Sequence, residues 1–318
     1  MTFLRLTGIQ KAYQEGIPVL QDFSVSIPKG QILGLIGESG SGKSTLLKII
    51  AGLENRDLGE VFLEDQRVKN PKETLVPGHE EIQLVHQEYQ LYPNSTVSEN
   101  IGRPLLLFDQ DYRQKRLHFL LDLFGLKPYQ NMLPRQLSGG QQQKVAIARA
   151  LSMEPKVLLL DEPFSSLDSI QTRELIDELR EMFRLLDVTV LFVTHELTHA
   201  LQLSDELLIL RKGKIIQKGF AEDIYAKPKT IYAAKLFTHL NAIPDKAKQY
   251  IRPSAIKLLR SNGIPAKVVN KIYLASHNQL TVNLNHKKNQ WIVEDRSRKF
   301  ELGDRIFLKY NEADVLIF

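Results

Sequence analysis

The stretch Gly37-Glu-Ser-Gly-Ser-Gly-Lys-Ser44 constrains this 318-residue chain more than any other feature. The almost wholly apolar Ile32-Leu-Gly-Leu-Ile36 precedes it and reads as a buried strand. Thr45 to Gly52, with Leu46, Leu47, Ile49 and Ile50 apolar, reads as a helix. A glycine-rich loop between a strand and a helix turns backbone N–H groups toward phosphate oxygens without Cβ clashes, and the helix N-terminus adds partial positive charge. Lys43 is expected to reach the β- and γ-phosphates of a nucleotide, and the Ser44 hydroxyl to coordinate Mg²⁺. The candidate phosphate-contacting residues are therefore Gly37, Glu38, Ser39, Gly40, Ser41, Gly42, Lys43, Ser44 and Thr45.

A phosphate cradle needs an acid at the end of a neighbouring strand to help hold the metal and its waters. Val157-Leu-Leu-Leu-Asp-Glu162 supplies two carboxylates there. Asp161 takes the metal role, and Glu162 is placed to polarise an attacking water. Val188-Thr-Val-Leu-Phe-Val193 is a further buried strand. Thr172 to Leu186 carries Leu175, Ile176, Leu179, Met182, Phe183 and Leu186 at helical spacing. Strands alternating with helices predict an α/β fold with a mainly parallel sheet. Phe3 to Leu6 and Val19 to Ile27 instead alternate apolar and polar residues, the period of half-buried strands. From about Glu88 to Leu137 the pattern changes to Leu105-Leu-Leu-Phe108, then Leu117, Leu120, Leu121, Leu123 and Phe124, which predicts an inserted helical subdomain over about 88–137.

Leu137-Ser-Gly-Gly-Gln-Gln-Gln-Lys-Val-Ala-Ile-Ala-Arg-Ala-Leu151 lies just before the acidic strand. Ser138 offers a hydroxyl, and Gly139 and Gly140 allow close backbone approach at a helix start, giving a second anion-binding helix terminus in one chain. This stretch resembles the signature motif of the ABC (ATP-binding cassette) ATPase family, and the resemblance covers roughly residues 2 to 240. It implies a P-loop NTPase cassette that hydrolyses ATP with Mg²⁺. It implies a homodimer in which the Lys43 loop of one subunit and Ser138, Gly139, Gly140 and Gln141 of the other clamp one ATP. Further roles follow from it. Tyr13 resembles the aromatic that stacks on adenine. Gln87, in Leu84-Val-His-Gln-Glu88, resembles the glutamine that contacts Mg²⁺ and water and reports to a membrane partner. His86 stands where the family usually has an aromatic or similar residue. Ser165-Ser-Leu-Asp168 resembles the loop that crosses the dimer interface, so Asp168 joins the nucleotide-side residues. His195, in Val193-Thr-His-Glu196, resembles the histidine that contacts the γ-phosphate. Gln87, Glu162 and His195 are thus the implied catalytic residues, and Ser44, Gln87 and Asp161 the metal ligands.

The texture changes after Leu240. Asn241 to Gln249 reads as a linker. Ala266 to Ile272, Gln279 to Leu284, Gln290 to Val293, Arg305 to Tyr310 and Val315 to Phe318 read as short strands, with turns at Ser276–Asn278, Asn285–Asn289 and Gly303-Asp304. Five such strands suggest a small all-β, barrel-like domain, so the expected domains are 1–240 and 241–318. With Ile251-Arg-Pro-Ser-Ala-Ile-Lys-Leu-Leu259, this part resembles the C-terminal oligonucleotide-fold-like (TOBE) domain of importer ATPases serving sugars, polyamines, ferric iron or oxyanions. Two readings of it stand at this point: a ligand-responsive domain, and an appendage that only stabilises a dimer.

Composition narrows the classes. With no cysteine, disulfides and thiolate metal sites are excluded, which fits a cytoplasmic protein. Lys+Arg number 42 against 37 Asp+Glu, a formal charge of +5. That balance suits a solvated mixed-charge surface, and also a polyanionic ligand or an anionic membrane surface. The N-terminal residues show no secretory leader, and no run approaches the ~20 apolar residues of a membrane helix. Membrane spans would come from permease subunits, with an extracytoplasmic substrate-binding protein as an indirect partner and the chain peripheral on the cytoplasmic face of the inner membrane. No nucleic acid is expected, because aromatic and basic residues do not alternate in the strand-rich part. His79, His118, His199, His239, His277 and His286 show no ligand spacing, so no zinc site is expected. A soluble ABC ATPase of translation or DNA repair is the alternative class. It usually carries two cassettes or a long coiled coil, and neither pattern is present.

Overall fold

In the computed structural model, which describes residues 3–14, 16–165, 167–284 and 289–318, period-2 stretches form antiparallel strands and continuous apolar runs form parallel ones. In chain order the first elements are β1 (Leu4–Gln14), β2 (Ile17–Ile27), β3 (Ile32–Gly37), α1 (Lys43–Ile50), β4 (Leu58–Leu63), β5 (Gln66–Arg67) and β6 (Ile82–Val85). Next come α2 (Val97–Gly102), α3 (Gln110–Leu123), α4 (Gly139–Leu151), β7 (Val157–Asp161), α5 (Ser169–Leu185) and β8 (Thr189–Thr194). Then follow α6 (Leu197–Leu203), β9 (Glu206–Arg211) and β10 (Lys214–Gly219).

A six-stranded sheet of order β10-β9-β3-β8-β7-β6 carries the parallel core, with only β9 and β10 antiparallel. Every residue of β3 and β8 is buried. This is why those strands read as unbroken apolar runs: helices or a second sheet cover both faces. The antiparallel sheet β2-β1-β4-β5 shares a core with it, in which Leu6, Phe23 and Val61 meet Leu35, Leu46 and Leu208. The strand order matters for function. Parallel strands β3, β7 and β8 end side by side, and the loops after them bring the Gly37, Asp161 and Thr194 segments to one edge of the sheet.

The chain divides into two compact units, Met1–Glu222 and Asp223–Phe318, so the division falls earlier than the expected 240/241 boundary. The second unit holds most of α7 (Ala221–Ala226) and all of α8 (Ile231–Phe237). The Arg252 guanidinium lies 4.0 Å over the Tyr225 ring and donates to the Tyr225 carbonyl, which ties α7 to the C-terminal strands. Tyr225 also packs on Phe237 of α8, with ring centroids 5.7 Å apart. Composition alone marks only the onset of strand texture, not this contact.

The rest of the second unit contains β11 (Asn241–Ala242), β12 (Gln249–Ile251), β13 (Lys257–Leu259), β14 (Ile264–Leu274), β15 (His277–Leu284), β16 (Gln290–Asp295), β17 (Arg305–Lys309) and β18 (Leu316–Ile317). They form a five-stranded antiparallel sheet, β13-β17-β14-β15-β16, and a three-stranded sheet, β11-β12-β18. The expected set of five strands is therefore corrected. β13 joins the larger sheet, and the last strand leaves it for the smaller one. The expected linker is corrected too. Asn241 is buried and its side-chain amide exchanges two 2.7 Å bonds with the backbone of Ile292, while the Trp291 indole donates to the Ala242 carbonyl at 2.9 Å. A side chain that mimics a strand partner carries no periodicity to read in advance. The turn at 285–288, and His286 with it, lies outside the described residues.

Candidate active site

The loop after β3 is shaped by close approach. A Cβ on Gly37 would lie 2.3 Å from the Leu210 carbonyl oxygen. Gly42 caps α1 at φ +99, where a Cβ would meet the Val19 carbonyl at 2.7 Å. Only glycine fits both positions. Lys43 folds back under the loop and donates to the carbonyls of Gly37 at 2.8 Å and Glu38 at 2.9 Å. Burial pushes its ammonium below the ordinary lysine range, and the charges of Glu162 and Asp161 pull it back up. An ammonium has three donors, so one remains for a ligand. The Ser41 hydroxyl is buried in the same loop without a hydrogen-bond partner.

The Ser44 hydroxyl donates to Asp161 Oδ1 at 3.0 Å, across from α1 to the end of β7. Two hard oxygen groups side by side are the donor chemistry of Mg²⁺. Burial raises the Asp161 carboxyl above its ordinary range, and the Ser44 bond opposes that. The sign has a consequence. A carboxyl whose folded pKa is raised contributes stability below its unfolded pKa and loses that contribution as pH rises through the folded value. At neutral pH the ionised Asp161 therefore burdens the fold. We predict that Asp161→Asn melts higher than wild type in EDTA at pH 7, by about 2–4 °C per kcal/mol relieved, while losing turnover. The gap should shrink as pH falls. A lower melting point at pH 7 would refute the assignment of strain to this carboxylate.

Glu162 follows Asp161 with φ 46, an unusual left-handed backbone for a non-glycine, and its N–H donates to the Val193 carbonyl at 3.1 Å. Its Oε2 lies 3.2 Å from Nδ1 of His195, whose Nε2 is 3.8 Å from Glu196 Oε1. The loops after two parallel strands thus bring a carboxylate and an imidazole together. Gln87, two residues past β6, is exposed and donates to Ser165 Oγ at 3.3 Å. His86 beside it is half-buried. Burial lowers its proton affinity, Lys48 and Arg149 lower it further and Asp161 opposes them, which favours a neutral ring at pH 7. Asp168 caps α5, accepting from Ile170 and Gln171 N–H groups at 2.9 Å each. Ser166 lies outside the described residues.

Tyr13 is 57% exposed, and its hydroxyl meets Thr45 Oγ1 at 3.3 Å and donates to Glu54 at 3.2 Å. Lys11 Nζ sits 5.0 Å from the ring centroid and is itself paired with Glu54 at 3.2 Å. Neither Lys11 nor Glu54 stands out in the sequence; only the fold makes them the support of this ring. Ser138 caps α4 in a reciprocal box, in which Gln141 N–H donates to Ser138 Oγ at 3.3 Å and Ser138 N–H to Gln141 Oε1 at 2.9 Å. Such a box orders a helix start and leaves further N–H groups there without intrahelical partners. No hydrogen bond or ion pair joins Ser138–Gln141 to Gly37–Thr45 among the described residues. Arg149, inside the same helix, was not singled out by sequence reasoning. Its guanidinium donates to the Gln90 carbonyl at 2.8 Å and the Tyr89 carbonyl at 3.1 Å.

A glycine-rich phosphate loop, an acidic strand end and a paired carboxylate and imidazole at one sheet edge define a nucleotide-hydrolysing cassette. The profile of the ABC transporter family matches residues 20–165, and that of the TOBE domain matches residues 250–318. The chain is 45% identical to a probable sulfate/thiosulfate import ATP-binding protein of Chlorella vulgaris, over 66% of this chain and 88% of that one. It is 33% identical to a spermidine/putrescine import ATP-binding protein of Clostridioides difficile, over 99% of this chain and 97% of the relative. A dimeric ATP-binding cassette solved in a post-hydrolysis state with ADP and Pi superposes with TM-score 0.60 at 31% identity, covering 68% of this chain and 98% of that one. The chain belongs to the ATP-binding proteins of the ABC transporter family, and it is an ATPase.

Proposed function

We propose that this chain energises a binding-protein-dependent importer of a small solute, working as one of two cassettes that close around two ATP molecules. The observation that carries the reading is the division of phosphate-binding features. Lys43, Ser44, Asp161, Glu162, His195 and Gln87 gather at one sheet edge, whereas among the described residues no hydrogen bond or ion pair joins the capped start of α4 to the phosphate loop. A second copy is what brings such a helix end onto the same nucleotide. The roles are those of phosphoryl transfer to water. The loop amides and Lys43 hold the β- and γ-phosphates, and the exposed Tyr13 ring offers a face to adenine. Ser44, Asp161 and Gln87 would hold Mg²⁺, which would neutralise charge on the phosphate oxygens. Glu162 accepts the proton of the attacking water as its oxygen bonds to the γ-phosphorus and ADP leaves. His195, oriented through Nδ1 by Glu162, keeps Nε2 toward the γ-phosphate. Asp168 fixes the loop that lies at the interface.

Cargo passes through other chains. No helix among the described residues is long and apolar enough to cross a membrane, so permease subunits supply the spans and the chain sits on their cytoplasmic face. A groove of about 560 Å³ on the helical subdomain, lined by Ser98, Arg103, Leu106, Gln110 and Arg113, offers them a seat. The relatives carry different cargo in their names, so the substrate class stays at small solutes of the polyamine, ferric iron, oxyanion or sugar kind. The experiment is co-purification of tagged chain from membranes, followed by reconstitution. An integral membrane protein should accompany it and stimulate its ATPase. We predict that Gln87→Ala retains ATP binding but loses about 5–150-fold in that stimulation, the usual span of a coupling energy. Recovery with only soluble ribosomal or DNA-bound proteins would favour the non-transport class instead.

A further inference from the structure

The exposed ring of Tyr13 is held by more contacts than a surface aromatic needs. A phenol has one proton to donate. Tyr13 gives it to Glu54 Oε2 at 3.2 Å, so the Thr45 hydroxyl, 3.3 Å away, donates to the phenol oxygen. Thr45 follows Ser44 in the first turn of α1, and Glu54 lies in the turn after that helix ends. One oxygen thus ties the ring to both ends of the helix that starts at the phosphate loop. The ring's inner face is held as well. Lys11, two residues earlier on β1, is 8% exposed. Its ammonium lies 5.0 Å from the ring centroid and pairs with Glu54 at 3.2 Å and Asp57 at 3.6 Å. Asp57 also accepts from the Ala12 N–H at 2.7 Å, and its own N–H donates to the Gln10 carbonyl at 2.9 Å. The backbone on either side of Lys11 is therefore fixed by one aspartate.

Removing an ammonium from water opposes folding. Here the buried cation covers one face of an aromatic ring and leaves the other face free. A cation on one face draws π density toward itself, so the free face is less negative and suits the π-rich face of a base. We propose that Lys11 and Glu54 are positioning residues that fix the Tyr13 ring in register with the phosphate loop, so that one rigid frame spans base and β-phosphate. This rests on the reading of Tyr13 as the adenine platform and adds to it the residues that hold the platform in place. A ring already fixed loses little freedom when the nucleotide arrives, so more of the contact with the base appears as affinity. Lys11 and Glu54 themselves touch no phosphate-loop residue from Gly37 to Ser44 by any hydrogen bond or ion pair among the described residues. Their effect is therefore confined to the base.

The test uses the full chain and titrates Mg²⁺-ADP and Mg²⁺-pyrophosphate by calorimetry, two ligands that differ by the nucleoside. Lys11→Met should weaken ADP about 2–30-fold, the span of a cation–π contact, and change pyrophosphate by less than about twofold. KM for ATP should rise by the same factor as the ADP loss, with kcat nearly unchanged. Glu54→Gln keeps an acceptor for the phenol but loses the ion pair, and should fall between wild type and Lys11→Met. Lys11→Met/Tyr13→Ala should bind ADP no worse than Tyr13→Ala, because both changes act through one ring. A purely structural lysine would lower melting temperature and weaken both ligands alike, or neither; that result overturns the proposal, as do additive losses in the double variant. If Lys11→Met does not fold, an unchanged ratio of the two affinities in Glu54→Gln overturns it equally. Tyr13→Ala that keeps the wild-type ratio removes adenine from this ring and ends the reading beneath the proposal. Tyr13→Ala that loses the ratio while Lys11→Met keeps it sinks the positioning role alone.

Discussion

Glu162→Gln should bind Mg²⁺-ATP as wild type does and hydrolyse it about 10²–10⁴-fold more slowly, the usual loss on removing a general base. Glutamine keeps the size of the side chain and can still meet His195 Nδ1, but it cannot take a proton from water. The local fold should survive. The backbone bond from residue 162 to the Val193 carbonyl does not involve the side chain. The left-handed backbone at this position is equally strained with either residue. Lys43, Ser44 and the loop amides are untouched, so affinity is retained. Single-turnover phosphate release and equilibrium nucleotide binding separate the two effects. Normal turnover in this variant would move the base elsewhere.

Lys43→Ala should fail at the preceding step. At ~1.5–3 kcal/mol for a hydrogen bond to a charged group, losing the phosphate contact of its one free donor costs about 10–150-fold in ATP affinity. Turnover should be lost with it. The variant should nonetheless fold. Burial depresses the Lys43 pKa, so the charged ammonium burdens the nucleotide-free fold at neutral pH and gives back stability only as pH rises toward the unfolded value. Removing it gives up two bonds to loop carbonyls and also removes a buried charge. A melting temperature close to wild type, beside binding weakened to that extent by calorimetry, is the expected pair of results. Near wild-type affinity would refute the assignment of the phosphate cradle.

The site was legible in the sequence where chemistry and chain order coincide. Gly37 to Ser44, Asp161 and Glu162 sit at ends of unbroken apolar strands, and such runs mark parallel, doubly covered strands whose ends carry loops. The pairing of Glu162 with His195 was not written in either motif, because it depends on β7 and β8 being neighbours in the sheet. Arg149 was invisible for a related reason. Its partners are backbone carbonyls, which leave no trace in residue identity. Tyr13 was named from the sequence, but its supports Lys11 and Glu54 are ordinary surface types until β1 and the turn after α1 bring them together. In the C-terminal part, alternation located β14, β15, β16 and β17. It could not show that Asn241 pairs through its side chain, nor that Arg252 stacks on Tyr225 and so gathers α7 and α8 into the second unit.

We propose that ATP is held between two copies of this chain, by the Lys43 loop of one and the Ser138 helix start of the other. Light scattering of Glu162→Gln measures it most directly, because blocked hydrolysis leaves ATP in place as the bond between copies. With Mg²⁺-ATP the mass should rise to twice the 36.4 kDa of one chain. Glu162→Gln/Ser138→Arg should stay at the single mass, since a bulky arginine obstructs the second half of the site. A double variant that dimerises as readily as the single one, or a single variant that binds ATP and remains at one chain mass, would contradict the shared site.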